Sequence, residues 1–251
     1  MKIITLNTWG GIAGTQGLLD FFKTHENTDI FCLQEIFNGG KDDEAEMQVQ
    51  MENKEYNLFN LISEVLPNHT GFFRPHIKEF YGLAMFVKKD ITLVEEGEEF
   101  VHRYKGYVPT ENLGFHARNI EYVKIMKDGK ELCVINFHGL WNGKGKTDTD
   151  QRLEQSKNIL RFTSTLTTDF VLCGDFNLLP STESLKLIED AGLRNLIKEN
   201  GVTSTRTSHY TKPDKFADYI FTSQGIEVKE FKVLPDEVSD HAPLYIVYIE
   251  I

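Results

Sequence analysis

Residues 171–181 read VLCGDFNLLPS. Val171, Leu172 and Cys173 form an apolar run that ends on Gly174, with Asp175 and Asn177 just beyond it. In an extended chain successive side chains alternate faces, so Asp175 and Asn177 project to the same side where the strand ends. An acid and an amide at the end of a core strand point to a polar site beyond the sheet edge.

On either side of this stretch the pattern changes period. Residues 148–166 (DTDQRLEQSKNILRFTSTL) read as an amphipathic helix with an acidic start, and residues 182–191 as a second helix. Nearer the amino terminus, a strand at residues 3–9, a helix at 17–25 and a strand at 29–35 follow in quick succession. Met47, Met51, Leu58, Leu61, Ile62 and Val65 predict one long or two short helices within residues 43–66. The centre is strand-rich: HTGFFRP, GLAMFVKK and TLVEEGEEFVH, then HARNIEYVKIM and ELCVINFH around the hairpin signal Asp128-Gly129-Lys130. ADYIFTS, IEVKEFKVL and APLYIVYI complete the strand candidates. Hairpins beside strand-helix-strand units imply mixed sheets, and so many strands for few helices predict two sheets packed face to face under outer helices, a four-layer α/β/β/α sandwich. No repeat, low-complexity tract or linker divides residues 1–251, which predicts one domain.

The 251 residues carry a net charge of −11, which argues against coating nucleic acid by bulk electrostatics but leaves room for a local basic groove or a metal-bearing site. Cys32, Cys133 and Cys173 each sit in an apolar run without metal-type spacing and read as reduced core thiols. The opening MKIITLNTW lacks a leader pattern, and no stretch is long enough to span a bilayer, so the expected location is cytoplasmic, without membrane insertion. No protein partner is inferable.

Four apolar runs end on an acid, amide or imidazole: Asn7, Glu35, His138 and Asp175 with Asn177. Two others begin on one: Asp218 before YIFTS, and Asp240-His241 before APLYIVYI. If those two strands run antiparallel to the first four, all the polar groups meet at one edge. Singly, each has an ordinary explanation as a turn former or a satisfied core residue. The set is rich in oxygen ligands, has two imidazoles and lacks thiolates, which suits magnesium rather than zinc. No elbow-type serine and no phosphate-binding glycine loop is present, so metal-assisted attack of water on a phosphoester fits best.

The pieces LNTW, LQEI, NFHGLW, GDFN, ADYIF and SDHAPL, in this order, resemble the endonuclease/exonuclease/phosphatase superfamily over essentially the whole chain. The resemblance implies Mg²⁺, with Mn²⁺ a possible substitute, held principally by Glu35 with Asp240 and Asn7 nearby. It implies that Asp175 deprotonates the attacking water and that Asn177 orients the water or a phosphoryl oxygen. His138 and His241 would donate to the phosphate, with Asp218 fixing the His241 tautomer and favouring its charged form. Asp175 and His241 both remain candidates for the base. Arg118 matches a phosphate-contacting position and Tyr81 an active-site tyrosine.

The substrate is less legible. Tyr219 stands where inositol phosphatases carry arginine, and LNTWGG and KFADYI depart from abasic-site endonucleases. HRYKGY interleaves Arg103 and Lys105 with Tyr104 and Tyr107 as a strand-stacking groove would, and Trp141, Lys144 and Lys146 follow His138. The leading expectation is a phosphodiesterase or nuclease acting on nucleic acid or a nucleotide-like diester. The alternatives are a phosphatase or diesterase for a small metabolite or lipid headgroup, and a silent binding module of the same fold.

Overall fold

The computed structural model describes residues 1–40, 53–109, 115–127 and 129–250. Met47, Met51 and Asp128, and with them the first part of the expected 43–66 helical segment and the tip of the hairpin, lie outside the described residues.

Among the described residues, twelve strands form two six-stranded sheets. The first contains β1 (Lys2–Asn7), β2 (Ile30–Phe37), β3 (His69–Ile77), β4 (Tyr81–Lys88), β11 (Ile226–Val233) and β12 (Leu244–Glu250), in the order β11-β12-β1-β2-β4-β3. The second contains β5 (Thr92–His102), β6 (Arg118–Lys127), β7 (Lys130–His138), β8 (Asp169–Asp175), β9 (Arg194–Asn195) and β10 (Asp218–Thr222), in the order β5-β6-β7-β8-β10-β9. Period-two patterning assigns the faces: Ile3, Ile30, Cys32 and Met85 turn toward the second sheet. Ile4, Leu6, Phe31 and Leu33 turn outward beneath α1 (Thr15–Thr24) and α2 (Leu58–Val65). On the other side α3 (Asp150–Thr163) and α4 (Glu183–Asp190) pack together, with α3 also against β5. The three cysteines are free and buried, as their settings predict. No helix among the described residues is long and apolar enough to cross a membrane.

Pairing directions fix where the polar groups land. β1 runs parallel to β2 and β7 parallel to β8, whereas β12 is antiparallel to β1 and β10 antiparallel to β8. The carboxyl ends of the first four and the amino ends of the last two therefore share one edge of the sandwich. Between α4 and β10 lie β9 and the short helix α5 (Leu196–Glu199), both too brief for a periodic signal in the sequence. The first strand ends at Asn7 rather than Trp9, because a 3₁₀ turn over Trp9–Gly11 takes the chain away.

Candidate active site

At the shared edge Asp175 is the central acid, 1 % exposed. Its Oδ2 accepts from Asn7 Nδ2 at 3.0 Å and its Oδ1 from the Asn177 backbone N–H at 2.7 Å. Gly174 (φ 137°) makes this end possible, since a Cβ there would collide with the Phe137 carbonyl on β7. Asn177, at φ 54°, donates from Nδ2 to Gly139 O at 3.3 Å. GDFN is thus a tightly bonded turn that terminates a core strand and aims its acid outward.

Two imidazoles approach the same oxygen: Nε2 of His138 and Nε2 of His241 each lie 3.7 Å from Asp175 Oδ2. Asp218 accepts from His241 Nδ1 at 2.8 Å and also from Thr205 Oγ1 at 3.0 Å. The imidazole proton is therefore on Nδ1, and Nε2 of the neutral ring is an acceptor. Burial and the Arg206 guanidinium lower the His241 pKa to about 4, against the pull of Asp175 and Asp240. His138 has the opposite arrangement. Arg118 Nη1, which can only donate, meets its Nδ1 at 3.2 Å, so the proton is on Nε2. Burial and the Arg118 charge push the His138 pKa well down, so this ring is also neutral.

Glu35 accepts from Asn7 Nδ2 at 3.0 Å, while its Oε2 is buried without a hydrogen-bond partner. Burial raises its pKa to about 7, with Asp240 and Asp175 adding to the rise against the Asn7 hydrogen bond. Asp240 has a similar imbalance, with Oδ2 accepting from Arg206 Nη1 at 2.9 Å and Oδ1 buried and unpartnered. Orphaned carboxylate oxygens beside a third acid fit a hard divalent cation, which would satisfy them and offset the crowding of like charges. One ligand atom each from Asp175, Asp218 and His241 lie within 4.8 Å of one another, a second buried acid and imidazole group able to hold a metal. There, however, both Asp218 oxygens are already engaged, by the His241 ring and by Thr205.

These groups form the floor of a cleft of about 400 Å³. Trp9, Phe37, Ile77, Phe80 and Tyr81 give it an apolar wall, and Arg118, Lys146, Arg206 and Lys212 bring positive charge to it. Tyr81 lines the cleft, and burial pushes its hydroxyl pKa well up, so the phenol stays protonated. Trp141 and Lys146 also reach the cleft, carried by the loop after β7. Arg152 orders that loop, donating to Leu140 O at 3.1 Å and to Gly145 O at 2.8 Å. The loop residues Arg103, Tyr104 and Lys105 are not brought to the site. Arg103 lies over the Tyr107 ring, Tyr104 is 66 % exposed, and Lys105 pairs with Glu98 at 2.9 Å, none of them lining the cleft.

Arg206, Tyr210 and Lys212 are absent from the sequence-predicted set. Arg206 holds Asp240, stacks over Tyr210 at 4.1 Å and pairs its backbone with His241 through an isolated bridge. Only its place in STRTSHY, among Ser and Thr without periodicity, marked it, and that pattern reads as an ordinary loop.

Solved structures share the fold at low sequence identity. A mannosyl-6-phosphatase of Bacteroides thetaiotaomicron is 18 % identical, with 99 % of each chain covered and a TM-score of 0.75. D. rerio TDP2, in a complex with a single-strand DNA product, is 15 % identical over 99 % of this chain and 98 % of that one, with a TM-score of 0.70. The human Nocturnin catalytic domain, with bound sulfate, is 16 % identical over 100 % of this chain and 93 % of that one, with a TM-score of 0.69. At these identities the likeness establishes the fold alone. No curated protein matches the sequence significantly. The sequence profile of the Endonuclease/Exonuclease/phosphatase family matches residues 4–241, from the middle of β1 to the site histidine His241. The chain is therefore a member of the endonuclease/exonuclease/phosphatase family of phosphoric ester hydrolases.

Proposed function

We propose that the protein is a Mg²⁺-dependent phosphodiesterase acting on a nucleotide-like diester. The observation that carries this reading is the approach of two differently protonated imidazoles to one buried carboxylate oxygen, at 3.7 Å each, beside the orphaned acceptors of Glu35 and Asp240. Glu35 and Asp240, with Asn7 alongside, would hold Mg²⁺, which when bound polarises a phosphoryl oxygen and neutralises developing charge. Asp175 takes the proton of the attacking water, and the open Nε2 of His241 lies close enough to share it. His138 donates from Nε2–H to a phosphoryl oxygen, and Arg118 adds positive charge behind it. Asn177 keeps the Asp175 carboxylate oriented through its backbone N–H. Trp9, Phe37 and Phe80 offer aromatic surface to a planar arm of the ester.

A second reading, a small phosphorylated metabolite as substrate, is favoured by two observations. The cleft, at about 400 Å³, is of small-molecule size, and Arg103, Tyr104 and Lys105 do not extend it into a polymer groove. The test is hydrolysis of bis-p-nitrophenyl phosphate, p-nitrophenyl phosphate and single- and double-stranded oligonucleotides with Mg²⁺, Mn²⁺ or excess chelator. Chelator-sensitive cleavage of the diester supports the first reading, and cleavage of the monoester alone moves the assignment to the second. Turnover that survives chelation, or is unchanged in Asp175→Asn, sinks both.

A further inference from the structure

Glu35 should not face the site if β2 were a regular strand. Gln34 points into the space between the sheets, where its side chain reaches Asn136 on β7, so alternation would send Glu35 outward with Phe31 and Leu33 toward α1 and α2. Two features turn it back. The β2–β4 register slips between Leu33 and Ile36, setting Gln34 and Glu35 against the single residue Leu83, and Glu35 adopts a left-handed backbone at φ 58°. For a residue with a Cβ that conformation is strained and persists only where the surroundings over-determine it.

Around the bulge the carbonyls of Leu33, Gln34 and Glu35 accept hydrogen bonds from two residues, Thr8 and Asn136. Thr8 donates its N–H and its Oγ1 to Gln34 O, both at 3.0 Å, and its Oγ1 to Glu35 O at 3.1 Å. From the other sheet, Asn136 Nδ2 donates to Leu33 O at 2.9 Å and to Ala84 O, on the facing strand, at 3.3 Å. Gln34 Nε2 in turn donates to Asn136 Oδ1 at 2.7 Å and fixes which way that amide points. Thr8, Gln34 and Asn136 are all fully buried, so these bonds have no water to replace them.

We propose that Thr8 and the cross-sheet amide pair Gln34 and Asn136 are positioning residues that hold the β2 bulge and so set the divalent-metal affinity of Glu35. This rests on the reading above that Glu35 holds the metal. Thr8 follows Asn7 directly and Asn136 lies two residues before His138, so the same clamp ties three strand ends of the site together.

The experiment is calorimetric titration of the full chain with Mn²⁺, alongside its thermal midpoint. Thr8→Val keeps the side-chain shape and removes the Oγ1 donor, and Gln34→Met removes the cross-sheet bond. Each is expected to weaken Mn²⁺ binding about tenfold or more, while Thr8→Ser, which restores the hydroxyl, stays within about threefold of the parent. The affinity is read from the folded fraction alone, so a merely destabilising role lowers the midpoint and leaves it unmoved. Parent-like affinity in both Thr8→Val and Gln34→Met, or no Mn²⁺ binding by the parent, overturns the proposal. Tight binding without metal-dependent turnover overturns only the hydrolase reading.

Discussion

His138 and His241 stand at equal distance, 3.7 Å, from Asp175 Oδ2, yet they are chemical opposites. A carboxylate backs one ring and a guanidinium the other, and the backing group dictates which nitrogen carries the proton. The His241 side presents a lone pair to the cleft, and the His138 side presents an N–H. Both rings are buried neutral, so neither contributes a full charge and their division of labour comes from tautomer alone. One edge of a sandwich thus supplies a proton acceptor and a hydrogen-bond donor from the same residue type.

The most direct way to break the contrast is Asp218→Asn. The variant is isosteric, but its amide can offer an N–H to His241 Nδ1, which moves the imidazole proton to Nε2 and makes both rings donors. The expected loss in kcat, measured on bis-p-nitrophenyl phosphate with saturating Mg²⁺, is on the order of 10³-fold with little change in metal affinity. Arg118→Gln attacks the other side. It releases His138 Nδ1 from an obligate donor and removes a cation from the cleft, and kcat is expected to fall about 10²-fold. An equal response of kcat to the two variants would show that the tautomer difference does not matter.

A smaller effect separates the sides in stability. Around Arg118 lie further buried imidazoles: His76 stacks on His116 at 4.8 Å and sits 5.9 Å from His138. Burial and the Arg118 charge push both His76 and His116 well below 6.5. The unfolded chain takes up protons at these sites below about pH 6.5 and the folded chain does not, so stability falls as pH drops through that value. Removing one such site with His116→Gln should flatten the acid limb of a chemical-denaturation profile, by up to about 1.4 kcal/mol per pH unit. A slope equal to the parent's would mean that His116 already titrates in the fold.

Much of this arrangement is legible in the chain. Apolar runs that end on Asn7, Glu35, His138 and Asp175 are visible because a buried strand is a short, unmixed signal and a polar residue at its end interrupts it. The four layers follow from counting such runs. The bulge at Glu35 is not legible, since the polar pair Gln34-Glu35 in LQEIF reads equally well as the end of a strand and only the pairing with β4 reveals the extra residue. Arg206 is hidden for another reason: it belongs to a loop and becomes part of the site only by backbone pairing with His241, across more than thirty residues of sequence. The His241 protonation state also required the structure, because the sequence places Asp218 beside the ring but not Arg206.

The smallest expected effect concerns the loop that composition singled out. HRYKGY has the interleaved cations and aromatics of a stacking groove, but its side chains serve one another and the sheet. Lys105 meets Glu98, whose other oxygen accepts from Asn119 Nδ2 at 2.8 Å, and Asn119 Oδ1 meets His76 Nδ1 at 3.1 Å. Its exposed residues Tyr104 and Lys105 thus reach the His138 side of the site through a chain of hydrogen bonds, and an ion pair with an exposed lysine at its outer end is worth about 0–1 kcal/mol. Tyr104→Ala combined with Lys105→Ala should therefore change kcat/KM on a mononucleotide-sized diester by less than about twofold. On a long single-stranded oligonucleotide the same result is expected if the cleft alone binds substrate. A loss of tenfold or more confined to the oligonucleotide would restore the loop as a strand-binding surface and place the two sides of the site under a polymer rather than a small ester.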